Sequence, residues 1–151
     1  GGYGENSTTL SIRRRMIELL RAKAQMHSDL QVVTGLGFGA EMLGAEAAAA
    51  AAVPYRVILA FDGMEKRWPD ATQKRFQELL SAALSITVAS DETPNTGDQF
   101  GKAMGRRDDA IIRIADEAIV VRDPKDRTLG ALQKKLEQQF EEDVWIIEPD
   151  Q

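Results

Sequence analysis

The sequence predicts an α/β fold of Rossmann-like architecture, a three-layer sandwich with a mostly parallel sheet whose first strand is expected upstream of Gly1. Two observations predict it. Apolar residues alternate between helical spacing and short continuous runs, helix then strand, five times over. That order implies a parallel sheet covered on both faces. Segments rich in turn-forming residues then follow the strand runs, at the end of the sheet where open parallel sheets bind ligands. A chain of 151 residues suits one domain, 1–151, and no linker or repeat divides it.

The elements read as follows. Ser7-Thr8-Thr9 has the chemistry of a helix cap, and Ile12, Met16, Leu19 and Leu20 recur behind it at helical spacing. Leu30 to Thr34 reads as a strand ending in Gly35-Leu36-Gly37-Phe38-Gly39, and an alanine-rich helix follows over about Ala40 to Ala52. Val57 to Phe61 is a continuous apolar run, the pattern of a strand buried on both faces. Trp68-Pro69-Asp70 opens the next helix, with Pro69 suited to its first turn and Phe76, Leu79, Leu80 and Ala83 on its inner stripe. Ile86 to Ala89 is a strand, and Asp91 to Gly97 a loop. A helix is expected from about Asp98 to Ala115, a strand at Ala118 to Val121, a helix marked by Leu129, Leu132, Leu136 and Phe140, and a strand at Val144 to Ile147. The chain opens on a turn-like Gly1-Gly2-Tyr3-Gly4-Glu5-Asn6-Ser7. A doubly wound sheet places a strand before such a turn, hence the strand expected upstream.

Composition narrows the chemistry. Hydrophobic residues at 43% and charged residues at 28% are globular proportions that argue against disorder. Cysteine is absent, which excludes disulfides and thiolate metal sites, and His27 is the one histidine. Neither a metal nor a cofactor is expected. A formal charge of −5 disfavours a general nucleic-acid surface. The alanine tract Ala47 to Ala52 is too short for a bilayer, and no signal peptide opens the chain, so no membrane partner and a cytoplasmic location are expected.

Several segments and side chains could carry chemistry. Thr34-Gly35-Leu36-Gly37-Phe38-Gly39 leads into a helix whose free N–H groups and positive dipole end favour an anion. Its glycines permit positive φ or close backbone approach; a tight turn with no ligand is the competing reading. Glu41, in the first turn of that helix, is either a favourable dipole partner or an acceptor for ribose or base. Asp62, Gly63, Glu65 and Trp68 follow the central strand, where Trp68 either stacks on a base or plugs the core. Arg107 is more specific. Phe100, Met104, Ile111 and Ile114 form an apolar stripe, and Arg107 lies about 20° from Phe100 on it. A charge on an inward stripe needs a partner, an internal carboxylate or a ligand phosphate. Asp108 either anchors it or faces solvent. His27 and Arg13-Arg14-Arg15 read as solvated surface.

Together these residues resemble the YpsA-like branch of the SLOG superfamily, named for the Smf/DprA and LOG proteins, over nearly the whole chain. Gly1-Gly2-Tyr3-Gly4-Glu5-Asn6 resembles the glycine-rich opening of several members, which follows a T-G-H-R-P strand. Thr34 to Glu41 resembles the [ST]-G-x-x-x-G-x-[DE] turn. Gly39, Glu41, Ala45 and Glu46 fit G-x-[DE]-x-W-A-A-E, with Leu43 for its tryptophan and Gly44 for one alanine. Phe61, Glu65, Trp68 and Pro69 resemble P-F-x-x-Q-E-x-x-W, with Ala60 for proline and Met64 for glutamine. Arg107-Asp108 and Ala115-Asp116 are similar to R-[ND] and a later [SA]-D. The hydrolase signature P-G-G-x-G-T-x-x-E is absent, and Arg122 to Thr128 lacks its glycines.

The resemblance implies a ligand pocket at the strand ends. The expected function is non-catalytic binding or sensing of a nucleotide-like, phosphate-bearing small molecule. Its site would draw on Gly2, Gly4, Asn6, Thr34, Gly35, Gly37, Gly39, Glu41, Glu65, Trp68, Arg107 and Asp108. The alternative is a nucleotide N-glycosidic hydrolase (phosphoribohydrolase-like) with Glu41 or Glu65 as the catalytic carboxylate. A weaker alternative is a DprA-like single-strand DNA binder. Homo-oligomerisation is left open.

Overall fold

The computed structural model describes residues 7–37, 40–115, 118–121 and 144–147. The elements alternate as the spacing predicts: α1 (Ser7–Met26), β1 (Val32–Thr34), α2 (Ala40–Ala50), β2 (Tyr55–Phe61), α3 (Asp70–Ser81), β3 (Ser85–Ser90), α4 (Gly97–Ile114), β4 (Ala118–Val121) and β5 (Val144–Ile147). The expected helix at Leu129 to Phe140 and the opening turn at Gly1 to Asn6 lie outside the described residues. Ser7, expected as a cap, is already helical. Pro69 is the N-cap of α3 and stands just before its first turn.

Among the described residues, every strand pairing is parallel. Strands β1, β2 and β3 form an open sheet in that order, the small α/β fold that the alternation of periods predicts. The sequence predicts β4 in one sheet with β2. Among the described residues, β4 instead pairs with β5 in a two-stranded parallel sheet, and no ladder joins it to β2.

Strand β2 is central, and its unbroken apolar run follows from having helices on both faces. Tyr55, Val57 and Leu59 join a core with Ile12, Met16 and Leu20 of α1, Met42, Leu43 and Ala45 of α2, and Phe76 and Leu79 of α3. Ala60 and Phe61 meet Ala103 of α4. Each fully buried aliphatic side chain of this kind contributes about 1.5–3 kcal/mol. At β3 the apolar side chains are much more open: Ile86 is 50% and Val88 40% exposed. Among the described residues, no helix is long and apolar enough to cross a membrane.

The layers are fastened by charge as well as by apolar packing. Glu46 of α2 pairs with Arg13 of α1 at 2.8 Å and with Arg75 of α3. The expected solvated arginine face therefore holds only for Arg14 and Arg15; Arg13 is half-buried. His27 is exposed, as its polar surroundings suggest.

Helix α2 ends in a Schellman turn. The Val53 N–H donates to the Ala48 carbonyl at 2.8 Å, and the Ala52 N–H to the Ala49 carbonyl at 3.2 Å. Such a turn needs a left-handed residue, and here alanine supplies it, at φ 58°. Ala52→Gly relieves about 1–2 kcal/mol of left-handed strain. It also adds about 0.4–1 kcal/mol of unfolded-chain entropy. A net gain of about 0.5–1 kcal/mol is expected in urea denaturation, and an unchanged or lower midpoint would contradict it.

Candidate functional site

The site is built where β1 ends. Thr34, the last residue of β1, is buried and ties the turn to the next helix. Its hydroxyl donates to the Glu41 carbonyl at 2.9 Å and accepts the Leu36 N–H at 3.2 Å. Leu36 is fully buried with φ 51°, a left-handed conformation that leucine rarely adopts. Such strain persists only where surrounding contacts over-determine it, and here burial and the Thr34 bond do so.

Among the described residues of the turn, positive φ therefore falls on Leu36. Among the described glycines, it occurs only at Gly63 (φ 81°). Gly35 and Gly37 answer a different need, close approach. A Cβ on Gly35 would stand 2.8 Å from Arg107 Cδ and Nη1 and 2.9 Å from Glu41 Oε1. A Cβ on Gly37 would fall 1.7 Å from Glu41 Oε2. The backbone of the turn lies directly on a charged array, and a side chain at either glycine fits only if Glu41 or Arg107 moves.

That array is Arg107 of α4 between two carboxylates. Its Nη1 donates to Glu41 Oε2 at 3.1 Å, and its Nε and Nη2 donate to Asp108 Oδ1 at 3.1 and 2.9 Å. The arginine side chain is 4% exposed, that of Asp108 15% and that of Glu41 31%. The expected inward stripe of α4 is open at both ends, where Phe100 and Ile114 are about half exposed, but Arg107 is buried with internal carboxylates as partners, and Asp108 is an anchor. Burial pushes the Glu41 carboxyl above its ordinary value; Arg107 draws it back down, Asp108 raises it, and the Gly37 N–H lowers it. Desolvation outweighs the attraction of the arginine.

The array brings together Thr34, Gly35, Gly37, Glu41, Arg107 and Asp108, six of the residues the sequence singles out. Gly2, Gly4, Asn6 and Gly39 lie outside the described residues. Glu65 is partly exposed and accepts from Gln77 Nε2 on α3 at 3.2 Å. Trp68 packs edge-to-face on Phe76, with ring centroids 5.3 Å apart, and lies against the main core. The hydrophobic plug is the role that this packing gives it. Arg106 is not among the residues that the sequence singles out, apart from its place beside Arg107; its Nη1 donates to the buried Ser90 Oγ at 3.0 Å.

Chemically, the array offers a carboxylate fixed in direction by a buried guanidinium and open on one side. Such a group can accept hydroxyls, or hold a proton to higher pH than an ordinary carboxylate. Comparison with protein-family models and with curated proteins gives no match.

Proposed function

We propose that this chain binds a nucleotide-like, phosphate-bearing small molecule at the carboxyl end of β1, without transforming it. The observation that carries this reading is the partly exposed Glu41 carboxylate, held by Arg107 at a turn whose glycines let backbone approach closely. Glu41 would accept a ribose hydroxyl. The phosphate, repelled by that carboxylate, would lie toward the amides that open α2, where the helix dipole favours an anion. Arg107 would orient Glu41, since Glu41 and Asp108 already engage its donors. The likeness to the YpsA-like branch of the SLOG superfamily supports the same class of ligand.

One observation favours a second reading, a nucleotide N-glycosidic hydrolase. The raised pKa of Glu41 suits a general acid or base, which works best when its pKa lies near the operating pH.

Calorimetric titration with adenosine monophosphate tests both. Binding should weaken roughly tenfold or more in Glu41→Gln, the loss expected for a hydrogen bond to a charged group. No free adenine should appear on prolonged incubation. Adenine release that Glu41→Gln abolishes would establish the hydrolase reading instead. Affinity indifferent to Glu41→Gln would remove the site.

A further inference from the structure

A second polar concavity stands apart from the Glu41–Arg107 array. It has a volume of about 370 Å³ and, among the described residues, is lined by Ala89, Arg106, Asp109, Ala110 and Arg113. Four of these share one stripe of α4. Arg113 follows Arg106 by seven residues, two helical turns that bring it within roughly 20° of the same direction. Ala89 is the penultimate residue of β3, at the carboxyl end of that strand.

Three features suit this groove to an anion. Arg106 is braced by Ser90, which is 7% exposed and accepts one of its N–H groups at 3.0 Å. A guanidinium carries five such donors, so four remain. Two of the lining residues, Ala89 of the strand and Ala110 of the helix, are small and leave the groove open. Finally, two arginines and one aspartate give the described lining a net charge of +1, in a chain whose total is −5. A volume of 370 Å³ lies within the range of small-molecule sites.

We propose that this groove is a binding site for a phosphate-bearing anion, held by Arg106 and Arg113. Guanidinium forks match phosphate oxygens in pairs. Asp109, one turn from each arginine, is the internal competitor. Its single charge is outmatched by a multiply charged phosphate and not by chloride, so the groove selects for charge density.

The test is a titration of the full chain, labelled at alanine methyls, with pyrophosphate at constant ionic strength. The Ala89 and Ala110 methyl resonances should shift and saturate, while chloride should leave them in place. Arg113→Gln should weaken pyrophosphate roughly tenfold or more. Ala110→Leu fills the groove and keeps both charges; it should abolish the saturable shift of Ala89 while the melting curve stays cooperative. Adenosine diphosphate distinguishes the sources: tighter binding than pyrophosphate marks a nucleotide site, equal binding a site for phosphate alone. Absence of saturable shifts at millimolar pyrophosphate, or parental affinity in both variants, would overturn the proposal. Neither substitution touches Glu41, Arg107, Gly35 or Gly37, so failure here leaves the nucleotide reading standing, and the converse holds.

Discussion

Arg107→Met should lower folding stability by about 3 kcal/mol at neutral pH, the lower end of the range for breaking a buried ion pair. Methionine keeps most of the stem that Gly35 packs against and removes only the charge. Glu41 and Asp108 are then left facing each other without a cation. The loss stays at the lower end because Glu41 retains 31% of its side-chain exposure and can draw in water. The loss should also depend on pH, and the sign follows from Glu41. Burial raises its folded pKa above 4.5, the ordinary value for a glutamate carboxyl. The folded protein therefore binds a proton more tightly than the unfolded chain. That contribution is fully present below about 4.5 and is lost as pH rises through the folded value. Removing Arg107 removes the attraction that lowers Glu41, which extends this window upward. The destabilisation should shrink toward pH 4 and grow toward pH 8 in urea melts of parent and variant. A penalty that does not change with pH would show that Glu41 does not feel Arg107. A large stability loss with unchanged affinity for adenosine monophosphate would restrict Arg107 to a structural role.

How this arginine could be found from sequence, and its partner could not, has a physical reason. A charge interrupting the stripe of Phe100, Met104, Ile111 and Ile114 is visible within one helix, because periodicity is local. Glu41 lies 66 positions earlier, and its carboxylate equally suits an ordinary first-turn residue. Only the fold, which brings the start of α2 against α4, turns the two into a pair. The same holds for Glu46, whose bonds to Arg13 and Arg75 join three helices that periodicity treats one at a time. The strands were legible because β2 needs apolar residues on both faces and says so in an unbroken run. Which strands share a sheet was not, since β4 and β2 carry similar runs yet ladder with different partners. Trp68 was ambiguous because an aromatic at a strand end is compatible with a ligand wall or a core plug. Only the position of Phe76 decides that it packs inward.

Gly37→Ala is expected to separate two reasons for a glycine at this turn. If glycine is there for a ligand's approach, alanine should leave the free protein as stable as before and weaken only binding. The geometry instead sets the new Cβ 1.7 Å from Glu41 Oε2, 3.0 Å from its Cδ and 3.3 Å from Arg107 Nη1. The carboxylate has to swing aside, which gives up its 3.1 Å bond to Arg107 and its bond from the Gly37 N–H. The flexible carboxylate relieves the overlap by moving, so the cost is that of the lost bond to a charged group, about 1.5–3 kcal/mol, in the absence of any ligand. A double-mutant cycle checks the cause. In a Glu41→Ala background the obstructing carboxylate is gone, and Gly37→Ala should then cost less than about 1 kcal/mol, leaving a coupling energy at the upper part of the range for residues in contact. Equal costs in both backgrounds would mean that the turn is glycine for a reason other than Glu41. In that outcome the carboxylate is free of the turn and can move with a ligand, and Gly37 returns to the ligand as its reason for being glycine.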